Sequence, residues 1–338
     1  MNERIMMSHG SGGAVMNGLI REVFIHHFGD EILGEESDSA VVPFPKESHL
    51  AFTTDGYVVD PIFFPGGDIG KLAVCGTIND LAVSGACPLW LSASFILEEG
   101  FPLNDLKRIV SSMATEARTS GIRIVCGDTK VVPRGKGDKI FIVTSGIGRV
   151  EERFLPIRKG SRIQSGDNLI VSGTLGDHGM AVLLEREKFP FEAKILSDCA
   201  NLFPMIREVL SQFPEVCFMR DATRGGLATI LCEVAEKVRL GIQIFEEQIP
   251  VASSVRNLCE LLGFDPLYLA NEGKALFIVP GKQTDEILQA IRAQETGREA
   301  AVIGSVVSGH SGRVVMNTLS GGERMIDYLS GDQLPRIC

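Results

Sequence analysis

A two-domain α+β protein is the fold class this sequence predicts, on three observations. The chain runs to 338 residues, 44% hydrophobic and 22% charged, enough for well-buried cores and a length that suits about two domains. Apolar strand-like runs alternate with longer amphipathic segments in each half, which is how an α/β or α+β unit reads. Between the halves, Val150 to Asp167 is charged and rich in Gly, Pro and Ser, the composition of a linker. The predicted division is an N-terminal domain over 1–149, a linker over 150–167, a C-terminal α/β domain over 168–330 and a mobile tail over 331–338.

In the first unit, Gly12 to Phe28 suits a helix, and His49 to Thr54 reads as a strand ending on the turn pair Asp55-Gly56. Asp68 to Val83 is helical in character, Leu89 to Leu97 is rich in strand formers, and Leu103 to Thr119 has a helical apolar period. A short strand, Arg123 to Val125, ends at Gly127-Asp128, and Lys139 to Ile147 is a further strand. In the second unit, strand Asn168 to Ser172 runs through the glycine turn Gly173 to Gly179 into a helix, Met180 to Glu187. Leu196 to Gln212, Gly225 to Val238, Ser253 to Leu262 and Thr284 to Gln294 read as helices. Leu240 to Phe245, Ala275 to Val279, Ala300 to Val306 and Gly312 to Met316 read as strands of one sheet. Neither a low-complexity tract nor a short-period repeat interrupts this order.

Composition excludes several function classes. A formal net charge of -10 lacks the clustered Lys and Arg that phosphate backbones demand, so no nucleic-acid partner is expected. The Cys at 75, 87, 126, 199, 217, 232, 259 and 338 form no CxxC pair and match no His spacing, which argues against a zinc site. The first residues, MNERIMMSHGSGG, have no apolar signal core, and no run reaches the ~18 apolar residues of a membrane span. No membrane association is expected; a cytoplasmic protein with reduced thiols is.

The chemistry concentrates at a few places. Cys338 is the last residue, a nucleophile at the freest point of the polymer, on a tail whose eight residues reach roughly 26–29 Å when extended. Asp38, Asp55, Asp80 and Asp128 each stand beside small residues. Such aspartates often cap helices and turns, but carboxylates converging from several loops are also what Mg²⁺ needs when it holds substrate phosphates. Ser8-His9-Gly10-Ser11-Gly12-Gly13 offers consecutive small residues whose amides can face an anion. There is no Walker motif: in Gly66-Gly67-Asp68-Ile69-Gly70-Lys71-Leu72 the spacing is wrong and no hydroxyl follows the Lys. Arg220-Asp221-Ala222-Thr223-Arg224-Gly225-Gly226 and Ala270-Asn271-Glu272-Gly273-Lys274 gather more polar groups than a turn needs. In them Arg224 or Lys274 suits the stabilisation of phosphate charge, and Glu272 suits a base or the orienting of a substrate amide; the other reading of both clusters is a salt-bridged surface turn. The lone histidines His9 and His178 read as hydrogen-bonded structural residues.

SHGSGG, TTDGYVVDPIFFPGGDIGKLAVCGTINDLAVSGA, GDTKVVPRG, SGTLGDHG, DATRGGL, ANEGK and terminal PRIC together resemble the HypE family of hydrogenase-maturation carbamoyl dehydratases, in family order and over essentially the whole chain. The aspartates and glycine turns are shared with aminoimidazole ribonucleotide synthetase, selenophosphate synthetase and thiamine-monophosphate kinase, whereas the Pro-Arg-Ile-Cys end is specific to the hydrogenase branch. The resemblance implies a PurM-like fold whose N-terminal sheets form a β-barrel between the subunits of a homodimer, with ATP near that interface. It implies that a HypF-type carbamoyltransferase loads the thiol of Cys338 and that ATP-dependent dehydration leaves a Cys338 thiocyanate. Cyanide then passes to iron on a HypC–HypD complex. Under this reading Asp38, Asp55, Asp80 and Asp128 hold Mg²⁺ and ATP, Gly10, Ser11, Gly12 and Gly13 cover phosphates, and Lys130 sits near the transferring group. Glu272 takes amide protons, with Asn271 and Arg224 orienting the intermediate. Two alternatives are another ATP-dependent synthetase or kinase of the superfamily, and a non-catalytic thiol carrier or metal chaperone. A selenophosphate synthetase usually carries its reactive Cys or Sec near the N-terminus, where residues 1–20 have none; a lone thiol is a poor metal site.

Overall fold

The computed structural model describes residues 4–10, 14–34, 42–45, 48–187, 189, 194–328, 334 and 336–338. Asp38, Ser11, Gly12, Gly13 and Pro335 lie outside the described residues.

The N-terminal half is a four-stranded sheet in the order His49–Tyr57, Ile140–Val150, Ala86–Glu98, Arg123–Val132. Only the last pair is parallel. Helix Ile69–Val83 lies on one face; Asp68 caps it by accepting the amides of Gly70 and Lys71 at 2.8 and 3.0 Å. It is buried nearly all round, from Leu72 and Val74 to Ile78 and Leu81, because the amphipathic helix Leu103–Thr119 covers it with Leu106, Ile109 and Met113. The opposite face of the sheet is open, with Leu50 60% and Phe52 66% exposed. Arg123–Val132 is longer than expected: it does not stop at Gly127-Asp128, because Gly127 has no Cβ to strike the Ala93 carbonyl, 2.3 Å from where one would stand.

The C-terminal half is a seven-stranded sheet in the order Glu323–Ile326, Val314–Asn317, Gly241–Phe245, Ala301–Val307, Asn168–Val171, Ala275–Val279, Phe218–Asp221. The stretch expected as a linker is a packed connection. Glu152–Phe154 and Leu155–Lys159 are short helices, and Phe154 and Ile157 are buried in the core, an apolar pair inside a charged composition. The helix expected from Leu196 begins instead at Phe203. The preceding segment spends its backbone groups across the domain boundary: the Ser197 amide donates to the Pro65 carbonyl at 2.8 Å and the Leu202 amide to Asn79 Oδ1 at 2.8 Å. This thread holds the two halves together where the site lies.

Candidate functional site

Strand His49–Tyr57 and helix Ile69–Val83 bring Asp55 and Asp80 together, and Thr53 Oγ1 donates to Asp80 Oδ2 at 2.7 Å. The same helix packs on strand Phe218–Asp221, which ends beside it on the buried Asp221. Burial first, then the Asp80 charge, push Asp55 up to about 6 from 3.8; Arg224 acts in the opposite direction. Burial and then Asp80 likewise raise Asp221 to about 7. Crowded, half-protonated carboxyls at a domain boundary fit a site that gains a cation. Asp80 and Asp221 also line a cleft of about 620 Å³, which Arg158 and Arg220 border. Among the described residues no group of three or more His, Cys, Asp or Glu side chains is placed to hold a metal ion by itself.

Glu272 is buried, and its Oε1 has no hydrogen-bond partner among the described residues. Burial, reinforced by the negative field of Cys199, Asp221, Asp198 and Asp55, lifts its carboxyl well above the glutamate range. Asn271 is fully committed to main chain. Its Oδ1 accepts the Gly176 amide at 2.8 Å, and its Nδ2 donates to the Ala222 and Leu269 carbonyls at 3.0 Å each. Its side chain, expected to help orient an intermediate, ties the glycine turn before helix Asp177–Glu187 to the Ala222–Arg224 loop.

The end of the chain, expected to be mobile, has a seat in this structure. Leu334 and Ile337 are buried, the Val58 amide donates to the Cys338 carbonyl oxygen at 3.2 Å, and the Asp60 amide donates to the Arg336 carbonyl at 3.2 Å. Arg336 forms an ion pair with Asp138. Cys338 borders a cavity of about 130 Å³ shared with Arg224, Gly225, Tyr268 and Ala270. Arg224, whose charge acts on Asp55, therefore links the terminal cysteine to the acidic cluster.

Two expected members stand apart. Asp55 lies in register with Thr144, Ala93 and Gly127, so Asp128, one residue on, points to the opposite face of the sheet. It lies three strands away, ~14 Å at the usual spacing. There it pairs with Lys130 at 2.8 Å, both exposed, and the lysine holds its carboxyl below the usual range. The expectation that Asp128 joins Asp55 and Asp80 is thus not met within one chain, because strand residues alternate faces. Gly10 ends a turn, Met7–Gly10, that packs on the same edge strand. His9 is structural as expected: its Nδ1 accepts the Met6 amide at 3.0 Å. Thr53 is a site residue with no role assigned from sequence, and Asp221 stands out there only within the Arg220–Gly226 cluster, although it too lies beside a small residue, Ala222.

The paired sheets, the aspartates at their junction and the glycine-rich turns define an AIR synthase related protein. The family's N-terminal domain profile matches residues 36–150 and its C-terminal domain profile residues 164–317. The carbamoyl dehydratase HypE of Azotobacter vinelandii is 49% identical over 337 residues, spanning 100% of this chain and 98% of that protein. A crystal structure of the hydrogenase maturation protein HypE in complex with ATP matches with a TM-score of 0.94 at 45% identity, over 98% of this chain and 99% of that one. A HypE–HypF complex matches with a TM-score of 0.79 at 44% identity, over 94% and 100%. This chain belongs to the HypE family of carbamoyl dehydratases. Among its described residues no helix is long and apolar enough to cross a membrane.

Proposed function

We propose that this protein dehydrates a carbamoyl group carried on Cys338 to a thiocyanate, at the expense of ATP, to supply cyanide ligands for the iron of [NiFe] hydrogenase. The observation that carries the reading is the seating of the terminal cysteine in a cavity with Arg224, beside the Asp55–Asp80–Asp221 cluster, in a chain so similar to HypE over its full length. ATP supplies the phosphoryl group that turns the carbamoyl oxygen into a leaving group, and Mg²⁺, when bound, would supply charge that neutralises the phosphates. Both N–H protons leave as the nitrile forms, and the oxygen departs in phosphate.

Asp55 and Asp80, with Asp221 nearby, are the residues that would hold Mg²⁺, which typically takes one or two carboxylates plus phosphate oxygens. A cation there would relieve the Asp80 repulsion that, after burial, raises Asp55 and Asp221. Arg224 steadies the phosphorylated oxygen at the mouth of the tail cavity, and the unpartnered Glu272 takes a nitrogen proton once it is ionised. Asn271 serves by fixing the loop that carries Arg224. Asp128 and Lys130 share the open sheet face with Leu50 and Phe52; their part in the site requires the homodimer in which a second copy covers that face. Asp38 and the Ser11–Gly13 amides complete the nucleotide site in this reading. A HypF-type carbamoyltransferase loads the thiol, in keeping with the HypE–HypF complex, and a HypC–HypD complex accepts the cyanide.

Phosphate release tests the reading. Protein carbamoylated on Cys338 should release one phosphate per chain with Mg-ATP, and Cys338→Ala protein none. If the carbamoylated protein leaves ATP intact, the chain is a carrier only.

A further inference from the structure

His178 is fully buried, and both ring nitrogens are engaged: Nε2 lies 2.7 Å from the Ile337 carbonyl oxygen and Nδ1 2.8 Å from Ser197 Oγ. A carbonyl only accepts, so Nε2 carries the hydrogen. Burial lowers the pKa of the ring and keeps it neutral, so Nδ1 accepts from the Ser197 hydroxyl. Ser197 Oγ in turn accepts the Cys199 amide at 3.0 Å. Phe64 of the N-terminal half meets the imidazole edge to face, with centroids 5.4 Å apart. Orientation and tautomer are therefore set, and the remaining hydrogen is given to the main chain one residue before Cys338.

The neighbouring contacts also grip main chain. Arg186 Nη2 donates to the Arg336 carbonyl at 2.7 Å, and the Val58 and Asp60 amides donate to the Cys338 and Arg336 carbonyls. Leu334 lies over Gly179, where a Cβ would come within 3.3 Å of its Cδ1. None of these bonds uses the thiol.

We propose that His178, oriented by Ser197, is the positioning residue that docks the tail for dehydration; the inference rests on the function proposed above. His178 acts through Ile337, so that Cys338 enters the cavity beside Arg224. Loading by an external transferase needs the tail released, which gives the two half-reactions opposite dependence on this clasp.

The test uses the full-length protein in three forms, wild type, His178→Leu and His178→Gln, the last restoring a donor toward the Ile337 carbonyl. Amide exchange at Val58 and Asp60 reports docking, because both amides are bonded to the tail. Carbamoyl loading of Cys338 and single-turnover conversion to thiocyanate report the half-reactions. Losing this buried bond should speed exchange at both amides, slow conversion by about tenfold and quicken loading in His178→Leu, with ATP affinity unchanged, and His178→Gln should restore all three. Wild-type exchange and conversion in His178→Leu would overturn the proposal, as would parallel loss of loading and ATP binding without rescue by Gln. If His178→Leu does not fold, Ser197→Ala should give the same split at about threefold, and no change in either readout would overturn it. Wild-type protein that loads but never converts would refute the function instead, while exchange at Val58 and Asp60 still decides whether His178 docks the tail.

Discussion

Replacing Asp80 by Asn removes one negative charge from between Asp55 and Asp221 while keeping an oxygen that can accept the Thr53 hydroxyl, now 2.7 Å from Asp80 Oδ2. Both neighbours have folded-state values raised above 3.8, to about 6 and about 7. The folded protein therefore holds more protons than the unfolded chain across that window, and these groups lose stability as pH rises through it. Burial is the largest single cause of the Asp55 rise, followed by the charge and the hydrogen bond of Asp80, so a share of about one unit, or ~1.4 kcal/mol, is assigned to Asp80. Solvent screening at the half-buried Asp55 reduces this to ~0.5–1 kcal/mol, and relief at Asp221 adds to it. Asp80→Asn should thus be more stable than wild type by ~1 kcal/mol at pH 8, ~1–3 °C in midpoint for a chain of this size. At pH 4.5, where Asp55 and Asp221 are already protonated in the folded protein, the gain should vanish. Calorimetric melts of both proteins at the two pH values measure it. Destabilisation at pH 8, or an equal gain at both, would refute the reasoning, and Mg-ATP should raise the wild-type midpoint more than the variant's.

Glu272→Gln, which keeps the size of the side chain and removes the base, should slow single-turnover dehydration by ~10²-fold or more. In wild type, conversion should quicken as pH rises above the ordinary glutamate range, because the base is the ionised form. Asn79→Ala would strand the Leu202 amide and the Ala200 carbonyl, bonded to it at 2.8 and 3.0 Å, and should lower the unfolding free energy in urea by ~2–4 kcal/mol. Phe52→Glu, on the open sheet face, should shift sedimentation toward monomer while changing monomer stability by less than ~0.5 kcal/mol.

Much of the architecture is legible in the sequence where periodicity is strong. Leu103–Thr119, Ser253–Leu262 and Ala275–Val279 have the expected bounds, the helices because an apolar stripe meets one partner, the strand because it is buried on both faces. The edge strands Phe218–Asp221 and Glu323–Ile326 are four residues each and owe their form to pairing with distant strands. The segment before Phe203 looks helical but is held straight by Asn79 and Pro65, contacts that no local pattern encodes. In the candidate site, Asp55, Asp80, Glu272 and Arg224 are noticeable by residue type next to small residues, and Cys338 by its position at the end of the sequence. The face that Asp128 takes depends on strand register, and the clasp role of His178 depends on a partner 159 positions away; a lone histidine carries no signal of either.

The most direct test of the proposed chemistry is the intact and C-terminal peptide mass of the protein after incubation with its carbamoyltransferase system, with and without Mg-ATP. Without ATP, Cys338 should gain about 43 Da as a carbamoyl adduct, and with ATP about 25 Da as a cyano adduct, the loss of one water through the activated oxygen. A carbamoyl adduct that survives Mg-ATP, or mass gained at any residue other than Cys338, would contradict it.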